Sequence, residues 1–244
     1  MKKVKKILVL VLVGILLSSV IGIALYNAII DENSLSISEK KWVDSHSSNV
    51  ISLVIPNDLP VFGSTGAGVF FDFSKYLQDD LKLNINNNPV SYLSKTEGYG
   101  FEVSTQFDKD KLLLFKDHYV LISKNTGLIN NASSIVSLRP AVLKSALENV
   151  SGYFGTNAGN FVGYDSYAKI TEDLNNGIIQ YALVSLNEYK DELIGNGINT
   201  LYHVSDLNKY YYLRLGSDKN LNSILTKRFN AWKEKKFEQS YNKN

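Results

Sequence analysis

The chain of 244 residues contains no cysteine. That excludes a disulfide scaffold, a thiolate metal site and a lipid anchor on an N-terminal cysteine. Histidine is nearly absent: His46, His118 and His203 are the only three, and none has a metal-ligating residue four positions on. No HExxH pattern, GxSxG elbow or P-loop occurs,. Gly63–Gly68 reads GSTGAG, which lacks the Lys-Ser/Thr ending of a phosphate loop and lies too far after the preceding strand for a dinucleotide turn. It reads as a flexible lip loop. No acid–base pair stands out, so the chain reads as a non-enzyme that needs no cofactor. A basic body is missing too. Formal net charge is +2, and Lys2, Lys3, Lys5 and Lys6 outweigh it, leaving the remainder slightly acidic and arguing against nucleic acid as a partner,. Disorder is excluded by 44% hydrophobic and 20% charged residues,.

What is present begins with a membrane signal. The lysines precede ILVLVLVGILLSSVIGIALY, residues 7–26, which carries no charge. About 20 apolar residues suffice to cross a bilayer as a helix. Lysines on the N-terminal side alone place the N-terminus inside and the body outside. A signal peptide cleaved after Gly22-Ile23-Ala24 is the rival reading, but such apolar cores run to about 7–15 residues. The expectation is therefore a single-pass anchor over residues 1–28 with an extracellular body.

The body alternates strand and helix patterns. After a polar connector, residues 29–49, comes the short apolar run Val50–Ile55, stopped by Pro56. Val69, Phe73, Tyr76, Leu77 and Leu81 recur at helical spacing,. Leu83–Tyr92 reads as a strand after the asparagines, and Leu93–Gly100 leaves room for a helix of two turns at most,. Further on, Ser133–Leu138 reads as a strand and Arg139-Pro140 as the opening of a helix to Asn149, since proline is tolerated in a first helical turn,. Ser166 caps a helix ended by Gly177; Ile178–Val184, Asn199–Ser205 and Lys209–Leu215 follow as strands, and Leu221–Phe237 as a final amphipathic helix,. This alternation indicates a mainly parallel α/β system.

Two stretches carry a family likeness. SLSISEKKW, residues 34–42, and Ser104–Ser123, STQFDKDKLLLFKDHYVLIS, resemble the entry phrase and the lobe-to-lobe crossover of family 3 extracellular solute-binding proteins. Phe115 and Tyr119 hold the aromatic positions of that crossover; Lys109 stands where the family has arginine and His118 where it has proline. The resemblance implies a two-lobed periplasmic-binding-protein type II fold with a double crossover. Lobe 1 would comprise residues 50–122 and 206–244, and lobe 2 residues 123–205. It also implies hinge closure on a small-molecule ligand. The role is solute binding or sensing at the membrane surface, with an ABC permease or a signalling protein as partner; the alternatives are the substrate-binding component of an amino-acid-type ABC transporter and a ligand-less interaction module.

By position, the resemblance assigns the ligand site to Asp58, Phe62, Ser104, Lys109 and Ser185. Ser185 falls where amino-acid binders place the aspartate that takes the ligand ammonium. Arg139, between a strand end and a helix start, is a candidate anion holder. With a lysine in the arginine position and no acid at Ser185, the expected ligand is small and anionic rather than a free α-amino acid.

Overall fold

The computed structural model describes residues 33–127, 129–193 and 195–244. The expected membrane anchor lies outside the described residues; among those, no helix is long and apolar enough to cross a membrane. The described chain opens with α1 (Ile37–His46). Ser36 caps it, accepting from the Glu39 backbone N–H, while Glu39 Oε2 accepts from the Ser36 N–H at 2.7 Å. This capping box satisfies two N–H groups that a helix start leaves without partners.

The first α/β unit follows. Strand β1 (Val50–Pro56) leads through a small hairpin, β2 (Asp58–Leu59) and β3 (Gly63–Ser64), into α2 (Val69–Leu81), then β4 (Asn84–Val90) and β5 (Gly100–Ser104). Gly68 precedes α2 with φ +115, and an added Cβ would meet the Phe62 carbonyl at 2.7 Å, so only glycine fits this turn,. β4 and β5 flank β1, both parallel to it. The asparagines 86–88 lie inside β4, paired with Ser52, Leu53 and Val54, and not in a turn before it. No helix forms over residues 93–100.

Two long antiparallel strands, β6 (Leu112–Ser123) and β10 (Asn199–Arg214), then run through the middle of one eight-stranded sheet of order β4-β1-β5-β10-β6-β9-β7-β8. The charged pair Lys116–Asp117 lies within β6, and the two strands read at 199–205 and 209–215 are one. Their joint is a register shift between Val204 and Asn208.

The middle of the chain supplies the second unit: α3 (Ser134–Ser137), β7 (Ala141–Leu143), α4 (Leu147–Tyr153), β8 (Val162–Tyr164), α5 (Tyr167–Asn175), β9 (Ala182–Ser185) and α6 (Lys190–Leu193). Here the sequence reading is corrected at two points. Residues 134–137 form a helical turn, and β7 occupies the start of the helix expected after Pro140. Arg139 explains the second. A residue before proline is disfavoured in the helical region, and Arg139 has φ +48, so the chain turns and enters a strand,. Ser166 does cap α5, accepting from the Lys169 N–H, and Gly177 follows its end with φ +70.

The apolar core divides accordingly. One cluster joins Leu53 and Ile55 of β1, Phe70, Phe73 and Leu77 of α2, and Tyr211 of β10. Leu221, Ile224, Leu225, Phe229 and Trp232 of α7 (Lys219–Lys235) complete it. Two others, either side of the second unit's sheet, hold Leu121, Val142, Val150 and Leu183, and Val120, Ile170, Val184 and Tyr189. Among the described residues, β6 and β10 are the two strands that contribute both to the first unit's cluster and to those of the second. The result is two lobes bridged by an antiparallel pair, closed by α8 (Phe237–Lys243).

Candidate functional site

Where the lobes meet, polar side chains replace the apolar core. Asp117, midway along β6, is fully buried and accepts from Ser185 Oγ (2.5 Å), Asn187 Nδ2 (2.6 Å), the His118 N–H (2.7 Å) and the Asn187 N–H (3.0 Å). Burial raises its carboxyl pKa and these donors oppose the rise,. Beside it, Glu188 accepts from Lys209 Nζ (2.6 Å), Tyr211 Oη (2.8 Å) and Tyr167 Oη (3.1 Å). Burial alone would lower the Lys209 pKa, but the Glu188 carboxylate outweighs it and holds the ammonium well above its ordinary value. The Tyr92 ring lies 4.9 Å from that ammonium. Tyr167 is pushed up by burial and by Glu188, so its hydroxyl remains a donor.

In front of this network a cavity of about 580 Å³ opens between the lobes. Asp58, Leu59, Pro60, Tyr92 and Leu93 form one wall; Lys144, Tyr164, Asp165, Tyr167, Glu188, Asp191 and Glu192 are among the residues forming the other. The second wall collects the C-terminal ends of β7, β8 and β9, where open α/β sheets place ligands. Five carboxylates thus face one lysine, and Lys144 is already paired with Asp165 at 2.8 Å. A second cavity, about 640 Å³, shares Ser145 with the first and runs between Thr105 and Gln106 of lobe 1 and α4 of lobe 2. Among the described residues no group of three or more histidine, cysteine or acidic side chains is disposed to hold a metal ion.

The residues assigned from sequence scatter. Asp58 does line the cleft, accepting from Ser91 Oγ (2.6 Å) and the Tyr92 N–H (2.8 Å). Ser185 is buried behind it on Asp117, so an acid is supplied to that position from the neighbouring strand. Phe62 is not a cleft residue: it is fully buried in lobe 1, stacked on Tyr211 at 3.9 Å. Ser104 closes its own turn with Gln106 and faces a separate 320 Å³ recess of lobe 1. That recess also holds Lys95, Lys111 and Arg214. Glu102 ties the last two, at 2.5 and 3.3 Å. Lys109 is exposed and lines none of these cavities. Arg139 is exposed at the N-terminal end of β7, opposite the end that reaches the cleft. The two cations that motivated an anionic ligand are therefore outside the cleft.

Sequence reasoning missed Asp117, Glu188 and Lys209, together with the acids Asp165, Asp191 and Glu192. The run Glu188–Glu192, directly after a buried-type strand, carried a trace of the last group. Nothing local announced Asp117 or Lys209, whose partners lie 68 and 21 residues away.

No family model and no curated protein sequence matches the chain. Solved structures do. The periplasmic VFT2 domain of Bordetella pertussis BvgS superposes with a TM-score of 0.61 at 12% identity, over 86% of this chain and 98% of that one. A substrate-binding protein of an ABC uptake transporter from Streptococcus pneumoniae, with bound histidine, gives 0.57 at 13% over 84% and 96%. The arginine-, lysine-, histidine-binding protein ArtJ of Geobacillus stearothermophilus gives 0.55 at 13% over 80% and 94%. At such identities the likeness is one of fold, and the fold is the two-lobed one of periplasmic binding proteins.

Proposed function

We propose that the chain is an extracellular ligand-binding domain, held at the membrane by residues 1–28, whose lobes close on a small molecule bearing a cationic group. The observation that carries this is the lining of the interlobe cavity: of its five carboxylates Glu188 is paired with buried Lys209 and Asp165 with Lys144, and Asp58, Asp191 and Glu192 have no ion-pair partner among the described residues. A site of that sign attracts cations and repels carboxylates, and Tyr92, Tyr164 and Tyr167 add aromatic faces of the kind that favour ammonium groups,. An anionic ligand is not retained, since Lys109 and Arg139 do not reach the cavity. A free α-amino acid would leave its carboxylate without a cation there, so an amine without one fits better.

Two of the similar structures are named for basic ligands, histidine in one and arginine, lysine and histidine in the other. That supports the sign of the charge and nothing finer. β6 and β10 are the hinge in this reading, and binding between the lobes selects the closed arrangement. The output is sensing or delivery to a permease. The domain is a binder and not an enzyme. A thermal-shift screen of the purified chain against amines, amino acids, sugars and organic acids tests the proposal: ligands of the native state raise its Tm. Amines should raise it and organic acids should not; the reverse ordering refutes the reading.

A further inference from the structure

The helix α8 touches both lobes. One side of it packs on lobe 1. The rings of Phe237 and Tyr241 lie 5.8 and 5.4 Å from that of Phe115, and Tyr241 also meets Phe62 at 6.2 Å. Asp72, in the first turn of α2, accepts from Ser240 Oγ at 2.7 Å and from Asn244 Nδ2 at 2.9 Å. Tyr241 also reaches lobe 2. Its hydroxyl donates to Asn187 Oδ1, and its backbone carbonyl accepts from Lys190 Nζ at 3.2 Å. The same ammonium lies 4.4 Å from the centroid of its ring. Carbonyls in the last turn of a helix have no intrahelical partner, so the hydrogen bond and the helix dipole both favour a lysine there. Burial pushes the Tyr241 pKa up to about 12, with Asp117 and Asp191 adding to it, so the hydroxyl remains a donor. Asn187 carries the contact inward. Its Nδ2 and N–H donate to buried Asp117 at 2.6 and 3.0 Å, which leaves Oδ1 for Tyr241.

We propose that α8 is a strap between the lobes: through Tyr241 it holds the loop after β9 against lobe 1 and biases the domain toward the lobe arrangement of this structure. These contacts run outside β6 and β10, so the hinge strands alone do not maintain them. A rotation of lobe 2 about the hinge carries Asn187 and Lys190 with it, while α8 stays with Phe62, Phe115 and Asp72. Tyr241 grips the loop at the hinge, through Asn187, and again three residues further out, through Lys190. Between and beyond those two points the loop presents Glu188, Asp191 and Glu192 to the interlobe cavity. Contacts made in one lobe arrangement and lost in another set which of the two is populated. The inference needs the two-lobed fold and takes nothing from the charge of the cleft.

The chain has no cysteine, so two spin labels can be placed without competing thiols. Asn230→Cys on α7 of lobe 1 and Asn175→Cys on α5 of lobe 2 are both exposed positions. Double electron–electron resonance on the full chain, with no ligand added, reads the distance between them. It is measured in the otherwise unchanged chain and with Tyr241→Phe and Lys190→Met together, which keep the ring and the aliphatic stem and remove the hydroxyl and the ammonium. The proposal expects the double variant to show a wider distance distribution with a displaced mean. Melting temperatures establish that the variant folds; if it does not, Lys190→Met alone decides. A distribution unchanged by the substitutions overturns the strap. So does a lowered Tm with an unchanged distribution, which would make α8 a packing element of lobe 1. With no ligand in the sample, neither result depends on whether the cleft takes amines.

Discussion

Lys209 Nζ lies 2.6 Å from Glu188 Oε1 with both side chains buried, one on the hinge strand β10 and the other in the loop that follows β9. Two charges removed from water are tolerated only when each satisfies the other and the remaining lone pairs are bonded; Tyr211 and Tyr167 supply those bonds. Glu188→Ala should therefore cost about 3–5 kcal/mol, since it strands the ammonium. Replacing the pair together, Glu188→Leu with Lys209→Met, should be far milder than the sum of the single changes. Chemical denaturation of the three variants measures this, and a strictly additive double variant would show that the pair does not act as a unit.

Glu39 predicts an acid limb. Burial disfavours its charge, but Lys227, Ser223 and Ser36 outweigh that and bring its pKa down to about 2 from 4.5. A depressed carboxylate contributes stability that is complete above pH 4.5 and is lost as pH falls toward 2,. The contribution is on the order of 2–3 kcal/mol. Glu39→Gln should lower stability at pH 6 and flatten the fall below pH 4.5. Parallel denaturation curves for parent and variant across that range would contradict the assignment.

His118 acts at milder pH. Its Nε2 meets His203 Nδ1 at 2.9 Å across β6 and β10. Burial lowers its pKa from 6.5; Asp117 opposes that, while His203 and Lys116 add to it. A histidine harder to protonate when folded makes the unfolded state the better proton binder, so stability falls as pH drops below 6.5,. Asp117, its carboxyl pKa raised, works in the opposite sense at lower pH. His118→Gln should reduce the loss of Tm between pH 7 and 5. An unchanged pH profile in the variant would remove His118 from the account.

The cleft acids should act through charge. Asp191→Asn combined with Glu192→Gln removes two carboxylates from the interlobe wall without disturbing the Glu188–Lys209 pair. Amine affinity should fall by roughly tenfold at low ionic strength, and the difference should shrink in 0.5 M salt as screening shortens the reach of the field. Folding stability should move by less than about 1 kcal/mol, as for exposed substitutions generally.

How much of this was legible follows from where each property resides. Local features could be read: the α2 stripe from Val69 to Leu81, the Ser166 cap and the apolar face from Leu221 to Trp232 are all set by neighbours in sequence. The stretch 133–149 misled. Its apolar run Ile135–Val136 is one helical turn, and the strand begins after Pro140, because tertiary pairing of Ala141 with Val162 and Ala182 decides the matter. The hinge strand β10 was read in two pieces because Asp206 and Asn208, polar residues at its register shift, look like a turn when the pairing with β6 is unseen. The site was the least legible part. A charge read by position, such as Lys109, carries no information on whether its strand end faces the cleft.

The most direct test of the central claim pits two molecules of equal carbon chain and opposite charge against each other. Pentane-1,5-diamine and pentanedioate are titrated calorimetrically into the purified full-length chain at pH 7 and low ionic strength, with Asp191→Asn/Glu192→Gln as the control. The account predicts measurable binding of the diamine, weakened in the control, and none of the diacid. Binding of the diacid in preference to the diamine would contradict it.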